Sequence, residues 1–115
     1  MRVFAESSLP VSNIARELVG AEFDVGVCTI FVDAPPGRGP SLHRHPYEEI
    51  IIVTEGEATF FGSSVSAERV VRGGEVVIVP ANEPHGFKNT GDGPLKQIDI
   101  HVSPHFDTEW KSAVR

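Results

Sequence analysis

The sequence predicts an all-β fold, a barrel or sandwich of short strands. Three observations carry this expectation. Nine prolines and eleven glycines fall within 115 residues, enough to divide the chain into many turns. Between those turns stand short runs of Val, Ile, Thr and Phe, the residues that suit a pleated surface. Residues 95–103 alternate polar and apolar side chains, the period of a strand with one face on a core.

Residues 1–20 are the least decided part of the chain. Ser12 can cap a short helix over residues 13–19, stopped by Gly20, and an extended arm fits equally well. Residues 23–34 read as a strand, ended by the Pro- and Gly-rich loop 35–40. Residues 49–54 contain Ile50, Ile51, Ile52 and Val53, apolar on both faces, which reads as a strand buried on both sides. Glu55 and Gly56 signal a turn, and residues 58–61 read as the returning strand of a hairpin. Gly62, Ser63 and Ser64 turn again. Gly73 and Gly74 precede a strand over residues 75–79, closed by Pro80. Residues 107–114 read as one or two helical turns capped by Asp107 or Thr108.

Composition excludes several function classes. The net charge is −6 and no basic stripe occurs, which argues against nucleic-acid binding. No apolar run approaches the length of a membrane span. The first residues lack a charged-then-apolar leader pattern, and the single cysteine, Cys28, cannot form an intrachain disulfide. Both fit a cytoplasmic protein. Cys28 reads as a small core residue, and Phe60, Phe61 and Phe87 also read as core. Trp110 suits either a barrel end or a subunit contact. A chain of this length forms one domain, and homodimerisation would bury more surface without being required.

The histidines carry the chemistry. His43 and His45 are two apart, so on extended backbone they point the same way, and Glu49 keeps their parity. His85 follows a different strand. Three imidazoles and a carboxylate suit a divalent Fe, Mn, Ni, Co or Zn ion. A His-x-His pair alone arises on exposed strands by chance, and His85 beside Pro84 would alone read as a loop residue. The spacing around them is more specific. Gly37, five residues, His43, one residue, His45, three residues, Glu49, six residues and Gly56 form one frame. Gly74, five residues, Pro80, then Asn82, His85 and, after three residues, Asn89 form a second.

These frames, at 37–56 and 74–89, resemble the two motifs of the cupin family. The resemblance implies a single cupin domain over residues 1–115, a double-stranded β-helix or jelly-roll-like barrel with short helical turns at most. It also implies that His43, His45, Glu49 and His85 hold one metal near the barrel mouth. Asn82 stands where the family's motif has glycine, and Asn tolerates the left-handed backbone such a turn needs. Glu48, odd in phase with the ligands, should point to solvent. Gln97, Asp99 and His101 share one face of the strand after the second motif, which either meets water or lines the pocket. In the second case Asp99 and His101 are candidate acid–base groups.

A six-coordinate ion held by four protein ligands keeps about two positions for water or substrate. This favours a metal-dependent enzyme, a dioxygenase or an isomerase/lyase, acting on a small oxygen-rich or aromatic molecule. The alternative is a metal-bearing small-molecule binding or sensing module without turnover. A structural metal site would not keep open positions.

Overall fold

The β-branched runs become the centre of one sheet. A computed structural model of the chain describes residues 1–111, which contain eleven strands and three single turns of 3₁₀-helix. The strands are β1 (Val11–Ser12), β2 (Ala15–Leu18), β3 (Cys28–Ala34), β4 (His43–Arg44), β5 (Glu49–Glu55) and β6 (Glu57–Phe61). They continue with β7 (Arg69–Arg72), β8 (Val76–Val79), β9 (Gly86–Asn89), β10 (Leu95–His101) and β11 (Glu109–Trp110). Six form a sheet in the order β1-β2-β3-β10-β5-β8, three a sheet in the order β7-β6-β9, and β11 pairs with β4. All named pairs are antiparallel. This is the expected all-β, jelly-roll-like arrangement.

The two larger sheets close on a shared core. Val32, Ile51, Val53, Val79 and Leu95 come from the six-stranded sheet, and Ala58, Phe60, Val71 and Phe87 from the three-stranded one. The Phe60 and Phe87 rings meet with centroids 5.3 Å apart. Cys28 is fully buried and its Sγ accepts from the Gly20 N–H at 3.4 Å, as suits a core residue. Phe61 is half-buried and packs over Gly86, where a Cβ would sit 2.5 Å from its ring.

Three sequence readings are corrected, and one alternative is decided. Residues 49–54 and 58–61 do not form a hairpin. β5 lies between β10 and β8, whereas β6 lies between β7 and β9. Gly56 alone separates them, too few residues for a two-residue reversal. It takes φ +87°, and the Pro94 carbonyl oxygen stands 2.3 Å from where a Cβ would be. The glycine makes a corner between sheets. Nor is β5 buried on both sides. Glu49, Ile51 and Val53 face inward, while Ile50 and Ile52 are only partly covered, beside the exposed Val76 and Ile78 of the edge strand β8.

The first segment is the extended arm, not the helix. Asn13 takes a left-handed φ of 54° and joins β1 to β2, and residues 15–18 of β2 pair along β3. Backbone pairing to a sheet edge overrides the local helix signal. The expected C-terminal helical turns are likewise absent over residues 107–111, where Glu109 and Trp110 pair with Arg44 and His43. Arg44 and Glu109 add an ion pair at 2.9 Å. The remainder of that expectation, residues 112–115, lies outside the described residues. No helix among the described residues is long and apolar enough to cross a membrane.

The corner at Gly56 is testable. Gly56→Ala places a Cβ against the Pro94 carbonyl and forces a left-handed φ on alanine, so it should cost at least about 2 kcal/mol. Urea denaturation measures this, and a midpoint equal to wild type would contradict the corner.

Candidate metal centre

Strand register assembles the histidine cluster. His43 on β4 and His85, just before β9, stand opposite each other in an isolated antiparallel bridge. They exchange both backbone hydrogen bonds, His43 N–H to His85 O at 2.9 Å and His85 N–H to His43 O at 2.8 Å. The carbonyl of His45 accepts from the N–H of Asn82 at 2.6 Å. Asn82 adopts the left-handed φ of 65°, so it does serve in place of glycine. Glu49 opens β5 and is flanked by His101 on β10 and Val79 on β8. His43, His45, His85, His101 and Glu49 are buried, whereas Glu48 is exposed.

Each imidazole is anchored from outside. His43 Nδ1 lies 2.7 Å from the Ser41 carbonyl, His45 Nδ1 3.0 Å from that of Asp107, and His85 Nδ1 2.9 Å from that of Glu83. A carbonyl only accepts, so each of these three rings holds a proton on Nδ1, and its neutral form turns an Nε2 lone pair inward. His85 and His45 Nε2 lie 3.0 and 3.4 Å from Glu49 Oε1, and His101 Nε2 lies 3.2 Å from Oε2. The ligating atoms of His43, His45 and His85 fall within 4.8 Å of one another, as do those of His45, Glu49 and His101.

The donor set fits a divalent ion. His45 Nε2 is buried and has no hydrogen-bond partner, although Glu49 is near. An inward, unpartnered imidazole nitrogen is costly in a protein interior, and a cation relieves that cost. His101 joins this cluster through Glu49. The alternation of residues 97–101 carried the signal, but nothing in sequence gave the pairing of His101 with Glu49. Tyr47 was not anticipated. Its hydroxyl lies 2.7 Å from His101 Nδ1.

The cluster sits at the base of a cavity of about 610 Å³. Asp99 and His101 line it, together with Ile30, Val32, Ile51, Phe87, Phe106 and Trp110. Gln97 lies one inward position deeper and is outside the lining. Its Nε2 donates to Asp99 Oδ1 at 2.8 Å, and its buried Oε1 has no partner. Trp110 packs obliquely on His43, with ring centroids 4.8 Å apart, and lines the cavity while remaining largely exposed.

The family model of the cupin domain matches residues 30–101, more than half of the chain. The chain belongs to the cupin family. An uncharacterized protein of Methanocaldococcus jannaschii is 32% identical over 102 residues, covering 84% of this chain and 80% of that one. A Klebsiella pneumoniae protein with a double-stranded β-helix domain superposes with a TM-score of 0.75 at 19% identity, covering 95% and 96% of the two chains. The oxalate decarboxylase of Bacillus subtilis, an enzyme with Mn(II) centres, gives a TM-score of 0.72 at 26% identity. That match covers 83% of this cupin but only 26% of the decarboxylase chain.

Electrostatics divide the carboxylates of this cupin. Burial pushes the Glu49 carboxyl up, but His101, His45 and His85 together outweigh it and hold it well below the usual range. Burial lowers His43 to about 4, so it is neutral near physiological pH. For His85, burial acts downward, and the hydrogen bond with Glu49 more than reverses it. Burial pushes the Tyr47 hydroxyl up to about 12. Asp99 pairs with Ile30 on one side and Ile51 on the other. Burial first, then the Glu49 charge, push its carboxyl well above the ordinary value, opposed by the bond from Gln97.

Asp99 therefore keeps a proton in the folded chain at a pH where the unfolded chain has lost it. The folded state binds the extra proton, so this group lowers stability as pH rises, by about 1.4 kcal/mol per unit above an ordinary pKa of about 3.9. Asn cannot titrate. The Tm of metal-free Asp99→Asn should gain on wild type as pH rises from about 4, the ordinary carboxyl pKa, toward the raised folded value. A difference that stays constant with pH would give Asp99 an ordinary carboxyl.

Proposed function

We propose that this cupin is a metal-dependent enzyme, a dioxygenase or an isomerase/lyase, acting on a small oxygen-rich or aromatic molecule. The observation that carries the reading is the cluster of inward imidazole nitrogens and one carboxylate at the base of an open cavity. His43, His45, Glu49 and His85 would hold one Fe, Mn, Ni, Co or Zn ion. The Mn(II) centres of the structurally similar decarboxylase support a divalent ion. Such an ion supplies Lewis acidity toward an oxygen donor and, if redox-active, electron transfer. The cavity walls exclude water and orient the substrate's body. Asp99, facing the cavity and neutral through burial, holds a proton at its carboxyl that an oxygen of the substrate can accept. A site with a proton donor beside the cluster favours turnover over simple binding. The lone cysteine and its burial suit a reducing, cytoplasmic setting.

His101 acts here as a positioning residue. The Asp107 N–H donates to the Tyr47 hydroxyl, at 3.4 Å, so that hydroxyl is free to donate its own hydrogen to His101 Nδ1. His101 then carries its proton on Nε2 and donates to Glu49 Oε2. This fixes the carboxylate so that Oε1 faces His45 and His85. Nitrogen NMR of the metal-free protein at alkaline pH should find His43, His45 and His85 protonated on Nδ1 and His101 on Nε2. Tyr47→Phe should remove the preference at His101 alone. An Nδ1-protonated His101 in the wild type would overturn the role.

The ligand set is tested by the adjacent carboxylates. Glu49→Gln should weaken metal affinity at least tenfold, about 1.4 kcal/mol, while Glu48→Gln stays near wild type. Equilibrium titration with one metal at fixed pH reads both, and a reversed order would make Glu48 the ligand. Metal analysis of protein purified without added metal, followed by oxygen-uptake screening, tests the enzyme itself.

A further inference from the structure

We propose, building on the metal-dependent reading above, that the substrate is a neutral or singly charged molecule with an apolar body of ring size and an oxygen chelating end. A compact dicarboxylate such as oxalate does not fit. The cavity supplies the reason in its charge and its size. Among the described residues, no lysine or arginine lines it. The three arginines next in sequence to lining residues are engaged elsewhere. Arg16 donates to the carbonyls of Ser7 and Leu9, Arg38 to Asn13 Oδ1, and Arg44 to Glu109. The Glu17 carboxylate and the neutral carboxyl of Asp99 line the walls, with the Glu49 carboxylate at the base.

The charge balance follows directly. Three neutral imidazoles and one carboxylate leave a divalent ion with a formal charge of about +1. A monoanionic chelating end neutralises it. A dianion leaves a net negative charge facing Glu17 and the largely apolar wall, without a cationic partner, and an unpaired charge drawn out of water is disfavoured. Size points the same way. A volume of about 610 Å³ lies in the range that encloses a multi-ring ligand and far exceeds what oxalate fills. Ile30, Val32, Ile51 and Phe87 form the wall above the cluster, and Ile14, Phe106 and Trp110 continue it outward. An apolar body lying along this wall removes the apolar surface from water.

The test holds the chelating head constant and varies the body. The full chain, loaded with Co(II), is titrated with acetohydroxamic, benzohydroxamic, 2-naphthohydroxamic and 6-carboxy-2-naphthohydroxamic acids. The Co(II) absorption reports the head, and the fluorescence of Trp110, the sole tryptophan, reports the body. Affinity should rise at least tenfold from the acetyl to the naphthyl probe and fall at least tenfold when the remote carboxylate is added. Ile14→Lys, which sets a cation in the outer wall, should restore binding of the carboxylated probe. Equal affinity across the series, or tightest binding of the carboxylated probe by wild type, would overturn the inference. If equilibrium dialysis finds no Co(II) bound, the metal reading fails, and this inference fails with it. Co(II) bound with the opposite ranking sinks this inference alone.

Discussion

A single buried carboxylate, Glu49, sets the terms for the rest of the site. A carboxylate removed from water and left without partners would cost several kcal/mol, and breaking a buried pair typically costs about 3–5 kcal/mol. The fold answers by converging imidazoles on both oxygens. One oxygen faces His45 and His85, and the other faces His101. None of these contacts is local apart from that with His45. His85 is brought by the backbone bridge to His43, and His101 by the register of β10 against β5. The barrel must therefore close correctly before Glu49 is tolerated, which ties formation of the site to formation of the fold.

The same register orders the interior in layers. Glu49 faces His101, Ile51 faces Asp99, and Val53 faces Gln97. Along β3 the matching residues are Cys28, Ile30 and Val32. Polarity therefore falls along β5 and persists along β10, so that one wall of the barrel is apolar and the other can exchange protons. Gln97 and Asp99 are buried two residues apart on the polar wall and joined by a hydrogen bond. The unpaired Gln97 Oε1 marks the deepest point at which this polar column meets an apolar core.

Much of this was legible in sequence, and the division has a physical cause. Strand identity followed from β-branched runs at β3, β5, β8 and β10, because local composition decides whether a segment suits a pleated sheet. The cluster of His43, His45, Glu49 and His85 followed from the resemblance of two spaced motifs to those of the cupin family, because strand parity alone could not carry across the bend at Pro46 and Tyr47 to Glu49, nor reach His85. What sequence concealed was pairing over long separations. Gly56 carries the composition of a hairpin turn yet makes a corner, because the choice depends on the approach of Pro94 nearly forty residues away. The arm at residues 11–18 and the strand at Glu109–Trp110 were hidden for the same reason, as each is stabilised by backbone bonds to a distant edge.

The candidate ligands and the outer wall of the cavity come from different parts of the chain. The four proposed ligands lie in the segment between His43 and His85, whose backbone is locked by paired strands, a reciprocal bridge and the Asn82 turn. The outer wall of the cavity comes instead from the flanking segments, through Ile14, Phe106 and Trp110. The two are joined at few points. Asp107 and Thr108 meet His45 Nδ1, and Trp110 pairs with His43 and covers its ring. Substitutions in the flanking segments can therefore change the shape and charge of the entrance while the inward nitrogens keep their positions. The exceptions are those few contact residues, where the outer wall also holds a ligand's ring in place. Such an arrangement allows one centre to serve different substrates, because the groups that would bind the metal and those that would bind the substrate's body answer to separate structural constraints.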